Sequence, residues 1–470
     1  MNHITTAGLK NNGNIVSMQN EPWQFWLDRP ATTSRRGHFW ITGERIKKGS
    51  QTLQHGPMFV EWQAPEQVTQ PYPVILVHGG LLQGTEWMDT PDGRPGWAQR
   101  LSEAGYAVLI VDRPGHGRSH THPDLSGQPG NAFSYEEGEH VFFPPEDKET
   151  QTQWPFDRND DAMLDQFIAA FGPLPTNYRE SQEMDTARLS ALLDKIGPSI
   201  LMTHSASGPL GWMVADQRPE LLVAIVSVEP MGPAFATTPG FGTLEWGLTA
   251  GPVTYFPERK SPEEVRAADP SRLQIPALKD MPVAIVTGEA SVFAKNGPAI
   301  VEFLNTAGAA ASQIHLPDHG VFGNGHGLIY ESNSDEALQP VLSWLSKVTT
   351  SNMPEGIDGS AGNPNEQTDK IIFYVSYNGD SETHFDQDYY INVHCPLVRE
   401  AWDAYGLERA SVYLPTDKDA GTIIIWAGIF KDRHALDTAF NAPLTQKVMD
   451  DIKNFTDVIP TRSIAEPFRT

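Results

Sequence analysis

Ser205 stands in Thr203-His204-Ser205-Ala206-Ser207-Gly208, a turn of small residues. It follows the apolar run 199–202 and precedes Leu210, Met213 and Val214 at helical spacing. A strand, a sharp turn and a helix raise a serine hydroxyl above a sheet, because the tight backbone wants small neighbours two before and two or three after it. Thr203, Ser207 and Gly208 supply them, so the stretch is a variant of G-x-S-x-G. Ser207 competes for the role but would put Pro209 where the turn needs a small residue, and Ser205 is therefore the candidate nucleophile.

A serine hydroxyl attacks only when a base takes its proton, and the base needs an orienting acid. Glu229 ends an apolar run at 222–229 and precedes Pro230; Glu289 ends the run 282–289 in the same way. Both belong at the sheet edge where ligands bind. Gly323-Asn324-Gly325-His326-Gly327 follows the last predicted strand, and such a loop lets the His326 imidazole enter from above; His319 is the alternative base. The tetrahedral intermediate of acyl transfer needs preset N–H donors. Ala206, next to Ser205, offers one, and Gly80 in the turn His78-Gly79-Gly80-Leu81 offers the second.

The elements that must position these groups follow from hydrophobic patterning. Runs 37–43 and 56–62 read as two antiparallel strands, and 73–80, 107–112, 199–204, 222–229, 282–289 and 313–316 as buried strands of a parallel sheet. Helices are predicted at 97–104 and at 180–195, the second stopping at Gly197-Pro198. Alternating strands and helices over this length indicate an α/β fold. Residues 120–176 and 230–280 are too long for plain loops and read as insertions. They carry Phe133, Tyr135, Phe142, Phe143, Trp154, Phe235, Phe241, Trp246 and Tyr255, which points to a bulky apolar substrate or to lid packing.

At 470 residues the chain has room for more than one domain. The rhythm changes after a stretch of Pro, Gly, Ser, Asn and acidic residues. The predicted domains are 1–348, a linker at 349–368, and 369–470, where strands at 371–377, 410–414, 422–430 and 461–465 with helices at 388–405 and 435–455, in the order βαββαβ, give an antiparallel sheet backed by helices. With 39% hydrophobic and 20% charged residues the chain reads as globular. A net charge of −25 and no dense Lys/Arg cluster exclude nucleic acid and anionic membranes as expected partners. No stretch approaches a membrane span. Residues 1–20 show neither an apolar leader nor an Arg-rich transit pattern, and the single Cys395 fits a reducing compartment, so a cytoplasmic location is expected. His116, His120, His122 and Asp124 share a loop but are not expected to form a metal site, and no cofactor is expected.

His-Gly-Gly after one strand, Asp112-Arg113-Pro114-Gly115-His116-Gly117-Arg118-Ser119 after the next, a serine elbow, then an acid and a histidine in order together resemble the α/β-hydrolase superfamily over about residues 35–348. Thr90-Pro91-Asp92-Gly93-Arg94-Pro95-Gly96-Trp97, Val228-Glu229-Pro230 and Gly323-Asn324-Gly325-His326 resemble an esterase subfamily whose acid is a glutamate after the sixth strand. That resemblance implies Glu229 and His326 as acid and base, and cleavage of an ester or lactone through an acyl-enzyme, with hydrolysis of a C–C bond by the same serine left open. A serine at position 205 argues against the dehalogenases and epoxide hydrolases that work from an aspartate there. Phe385-Asp386-Gln387-Asp388-Tyr389-Tyr390-Ile391-Asn392-Val393-His394-Cys395-Pro396-Leu397-Val398 resembles the EthD family of ferredoxin-like, dimeric α+β domains. The resemblance implies a homodimer through the C-terminal domain and a pocket for a small aromatic molecule near His394 and Tyr390. A decarboxylase or cyclase centred on that domain, or a binding protein with a relict triad, is the alternative function.

Overall fold

The computed structural model describes residues 32–173, 175–351, 370–380, 383–415 and 421–465. The chain divides into two compact units, Met1–Gly359 and Ser360–Thr470. The first is built on an eight-stranded sheet. Its strands are β1 (Ser34–Ile41), β2 (Met58–Pro65), β3 (Val74–Val77), β4 (Val108–Asp112), β5 (Ser199–His204), β6 (Leu222–Val228), β7 (Pro282–Thr287) and β8 (Ala310–His315), in the spatial order β1-β2-β4-β3-β5-β6-β7-β8. β1 and β2 run antiparallel and the other strands parallel to one another, with β2 antiparallel to β4.

The period-two alternation of side chains splits these apolar runs between two cores. Ile75, Leu201, Ile225 and Ile285 face one side, where Leu189, Leu192 and Leu193 of helix Tyr178–Ile196 cover them. Leu76, Met202, Val226 and Val286 face the other, against Trp97 and Leu101 of helix Trp97–Glu103 and Leu338, Val341 and Leu345 of helix Ser334–Ser351. Because the strands are buried on both faces, every residue of β3 and β5 is buried. The parallel register pairs Val77 with Thr203, His204 with Val228, and Val286 with Val228. The residues that follow these strands, at 78–81, 205–208, 229–231 and 288–291, therefore emerge at one edge.

The insertion at 120–176 carries helices Tyr135–Phe142 and Asp161–Ile168, and its aromatic residues Phe143, Trp154 and Phe167 pack mainly on each other. A hairpin, Glu44–Lys48 with Gln51–His55, lies between β1 and β2 where the sequence offered no clear signal. β8 starts at Ala310, three residues before the expected 313, because it pairs residue for residue with β7 from Pro282↔Ala310 onward. Residues 349–351, expected to open the linker, continue helix Ser334–Ser351; the remainder of that linker lies outside the described residues.

The second unit has four antiparallel strands, β9 (Ile371–Asn378), β10 (Leu407–Tyr413), β11 (Thr422–Phe430) and β12 (Thr461–Ala465), in the order β10-β11-β9-β12. With helices between β9 and β10 and between β11 and β12, this is the ferredoxin-like arrangement. Phe373, Trp426 and Phe430 of the sheet pack on Trp402, Leu436 and Val448 of the helices. The helix expected over 388–405 is interrupted: Gln387–Tyr389 widens into a π turn at Tyr390–His394 before helix Cys395–Trp402. The helical stretch expected at 435–455 is two helices, Arg433–Phe440 and Thr445–Asp451.

Candidate active site

Ser205 leaves the end of β5 with φ +55° and leads through one turn into helix Gly208–Gln217. A non-glycine residue in the left-handed region costs about 1–3 kcal/mol and persists only where packing holds it. The packing is visible. A side chain at position 208 would place its Cβ 2.5 Å from Pro230 Cβ, so only glycine lets the elbow approach the loop after β6. Thr203, standing where the motif has glycine, fits because its hydroxyl lies 2.8 Å from that of Ser227 on the neighbouring strand. Ser207 is fully buried; its hydroxyl accepts the His204 N–H at 3.0 Å and lies 3.0 and 2.8 Å from the carbonyls of Val77 and His204. It staples the turn.

His326 reaches Ser205 from its glycine-rich loop, with Nε2 3.0 Å from Ser205 Oγ. Its Nδ1 faces Glu229 Oε2 at 3.8 Å, an ion-pair distance rather than a hydrogen bond. Glu229, with φ +48°, is fully buried, and its two oxygens accept the Gly288 N–H at 2.6 Å and the Ser291 hydroxyl. Burial pushes the Glu229 carboxyl up to about 7 against the pull of those hydrogen bonds. Burial, and then the neighbouring His204, hold His326 well below the ordinary histidine value. Both shifts favour a neutral imidazole, the form that can accept a proton. Glu289 is turned to another task, accepting the Gly323 N–H at 2.9 Å at the root of the His326 loop. His319 ends a short 3-10 turn, Leu316–His319, after β8.

The turn after β3 abuts the elbow: a Cβ on Gly80 would lie 3.1 Å from Ala206 Cβ and 2.3 Å from the Phe241 ring, and one on Gly79 would lie 3.3 Å from Ser205 Cβ. Leu81 continues it with φ +67°, so three of the five left-handed non-glycine residues among the described residues, Leu81, Ser205 and Glu229, meet here. The Gly79 N–H is committed to Glu86 Oε2 at 2.7 Å. Tyr178 pins the elbow from below, donating its hydroxyl to the Ala206 carbonyl at 2.7 Å.

The α/β hydrolase family model matches residues 74–339, the span that holds Ser205, Glu229 and His326. The chain belongs to the α/β-hydrolase family. Over 315 residues it is 34% identical to a probable secreted lipase, phiG, from a fungal species (strain ATCC 74256), covering 62% of this chain and 86% of that protein. Among solved structures, a bacterial esterase is 26% identical with a TM-score of 0.51, covering 68% of this chain and 98% of the esterase. An EthD-like protein from Ralstonia eutropha JMP134 is 22% identical with a TM-score of 0.19, covering 21% of this chain and 92% of that one.

Two residues of this α/β-hydrolase site, Phe293 and Glu331, carry no motif and were missed in the sequence. Phe293 packs on the His326 ring with centroids 4.5 Å apart, while Phe142, one of the aromatic residues expected in the insertion, lies 5.3 Å away. Phe142 and Phe241 are thus the insertion aromatics that meet His326 and Gly80. Phe143 and Trp154 fill the lid, Trp246 accepts the Tyr255 hydroxyl through its carbonyl, and Phe235 lies under Arg266. Glu331 is fully buried behind the His326 loop, where it accepts from the Gly325 N–H at 2.9 Å, Asn324 Nδ2 at 2.9 Å and Gln151 Nε2 at 2.7 Å. Burial raises its carboxyl to about 7. Gln151 comes from the insertion, so one carboxylate ties lid to base loop. The signal available was a glutamate five residues after His326, which local pattern cannot separate from a surface charge.

Of the four residues on the 116–124 loop, His116 is buried with Nδ1 3.1 Å from the Pro114 carbonyl, whereas His122 and Asp124 are exposed around a short helix start. Among the described residues no group of three or more His, Cys, Asp or Glu is arranged to hold a metal, and no helix is long and apolar enough to cross a membrane. In the second unit, His394 and Tyr390 line a cavity with Phe373, Tyr377, Trp402, Trp426 and Arg462. His394 Nδ1 lies 2.8 Å from Asp451 Oδ2, Tyr389 donates to Asp451 Oδ1 at 2.9 Å, and Tyr390 stacks on His394. Burial pushes the Cys395 thiol up to about 11, which leaves it unreactive.

Proposed function

We propose that this α/β-hydrolase is a serine esterase that cleaves the ester or lactone of a bulky, aromatic or polyketide-like small molecule through an acyl-enzyme. The reading rests on the 3.0 Å approach of His326 Nε2 to a hydroxyl held on a left-handed elbow. Ser205 attacks the carbonyl carbon while His326 takes its proton. Negative charge forms on the carbonyl oxygen, for which the N–H groups of Ala206 and Gly80 are the donors. Gly79 is excluded from that role by its bond to Glu86. Glu229, whose Oε2 faces Nδ1 at 3.8 Å, orients His326 and offsets the imidazolium that forms. His326 then protonates the leaving alkoxide, and a water activated by His326 hydrolyses the acyl-serine. Phe142, Phe241 and Phe293 give the site its apolar wall, in keeping with an aromatic substrate. The names of the fungal lipase and the bacterial esterase agree with ester chemistry. A panel of aryl esters, alkyl esters and aryl lactones tests the reading: turnover of aromatic members by wild type and none by Ser205→Ala supports it, and equal turnover by both overturns it.

A second reading has its own observation, the His394–Asp451 pair at 2.8 Å beside an aromatic-lined cavity. On that reading an EthD-like domain performs a lyase or cyclase step on an aromatic metabolite, or only binds one. Turnover that survives Ser205→Ala and disappears in His394→Ala favours it. A homodimer through the EthD-like domain is proposed on the apolar outer sheet face, where Ile372 pairs with Ile429 and Tyr374 with Ala427; Ile429→Glu should then convert a dimer to a monomer by sedimentation. The cytoplasmic location is likewise a proposal, resting on the single unpaired Cys395. The fungal relative's name says secreted, so cell fractionation decides between them.

A further inference from the structure

Behind the catalytic groups lie two ionisable side chains that the proposed reaction does not use. Glu86 belongs to the short turn Gly84–Trp87 that follows the oxyanion turn, and His204 immediately precedes Ser205; the side chains of both are fully buried. Their contacts run in two directions. Glu86 accepts the Gly79 N–H at 2.7 Å through Oε2, and its Oε1 meets His204 Nδ1. His204 Nε2 lies 3.1 Å from the backbone carbonyl of His326, and the two imidazole rings stack with centroids 4.8 Å apart and planes 29° from parallel. A carbonyl only accepts, so Nε2 carries a proton; Nδ1 faces a carboxylate, which calls for a second.

We infer that Glu86 and His204 form a buried carboxylate–imidazolium pair that positions the oxyanion turn and the base loop against each other and keeps a positive charge on the face of His326. The inference rests on the serine-esterase reading above and adds two positioning residues to it. The pair fixes Gly79 at one end and the His326 backbone at the other, so that Gly80, Ser205 and His326 hold their mutual distances. A misplacement of about 1 Å in such a constellation costs on the order of 100-fold in rate.

The charge has its own consequence. The titratable groups around His326 are Ser205 and His204 on the elbow, Glu86 on the turn after β3, Glu229 after β6, and, farther along its own loop, Tyr330 and Glu331. Phe142 and Phe293 cover the rest. Burial acts to lower the affinity of His204 for its proton, yet Glu86 overcomes this and raises it. Next to burial, that imidazolium is the main influence lowering His326, with Glu86 opposing it from farther away. Without the Glu86 carboxylate the fully buried His204 becomes neutral, the positive charge leaves the face of His326, and His326 takes up its proton at higher pH.

The test is the second-order rate of inactivation by a fluorophosphonate as a function of pH, on the full chain, for wild type, Glu86→Gln and His204→Gln, with folding checked by circular dichroism. Both variants should react about 10–100-fold more slowly at the wild-type optimum, and in both the acid limb of the profile should move to higher pH. A merely structural prop would lower the rate without moving the limb. Should Glu86→Gln fail to fold, His204→Gln decides alone, since it also removes the imidazolium but leaves Glu86 its bond from Gly79. Folded variants with the wild-type rate, or with a slower rate and an unmoved acid limb, overturn the inference. A wild-type protein that does not react at all overturns the serine-esterase reading instead, and the inference with it.

Discussion

Two of the buried histidines that stand beside carboxylates, His394 and His326, are built for different ends. In the C-terminal unit His394 and Asp451 are in direct contact at 2.8 Å, on helical backbone, with no hydroxyl at the other imidazole nitrogen among the described residues. In the hydrolase unit His326 and Glu229 stand 3.8 Å apart, the carboxylate satisfied by Gly288 and Ser291, and His326 faces Ser205. The better hydrogen bond is thus at the imidazole that faces no hydroxyl among the described residues. What sets the second pair apart is strain and convergence: three left-handed residues and four strand ends meet there, held by residues that never touch the reacting atoms.

That contrast is sharpest in the nucleophile. Ser205→Ala should lower ester hydrolysis by about 10⁶-fold, and Glu229→Gln by about 10⁴-fold, as removal of a nucleophile and of an orienting acid do in serine hydrolases. His394→Ala should leave hydrolysis within about twofold by the same assay; a loss comparable to that of Ser205→Ala would erase the distinction between the two units. Acidity separates them next. Because His326 is held below the ordinary value of 6.5, its base form persists under mild acid; in Glu229→Gln, where no carboxyl titrates beside it, the acid limb of the residual kcat/KM should lie below pH 6.5. A limb at or above that value would mean that burial and His204 do not act on His326 as described. Smallest are the effects on stability. Glu331→Gln replaces an acceptor of three donors with a side chain that must turn an NH₂ toward one of them, and should cost about 1–3 kcal/mol by denaturant unfolding. Asp451→Asn keeps a partner for His394 and should cost about 1 kcal/mol or less, confined to the C-terminal transition.

The frame was legible because burial on both faces leaves a sequence signal: Val74 to Val77 is apolar throughout, Leu222 to Val228 is apolar but for Ser227, and strand after strand ends in a turn of small residues. The elbow could be read because its backbone demands small residues; Thr203 satisfies the demand only with the help of Ser227, a contact between strands that no local window contains. Glu229 could not be separated from Glu289 by position, since both follow strands. The structure separates them by where their oxygens go, Glu229 toward Ser291 and His326 and Glu289 toward Gly323. Glu86 and Phe293 left no signal, because each meets a partner far along the chain, and Glu331 left only a glutamate five residues after His326, whose burial depends on Gln151, 180 residues away. His204 was read only as part of the elbow, and its second role needs Glu86, 118 residues away.

The most direct test of the account is intact-mass measurement and peptide mapping after exposure to a fluorophosphonate, in which Ser205 Oγ would bond to phosphorus, fluoride leave, and His326 take the proton. One adduct is expected, on the peptide containing Ser205, absent from Ser205→Ala and lost or strongly slowed in His326→Ala. Folded wild-type protein without an adduct, or an adduct on another serine, would contradict it.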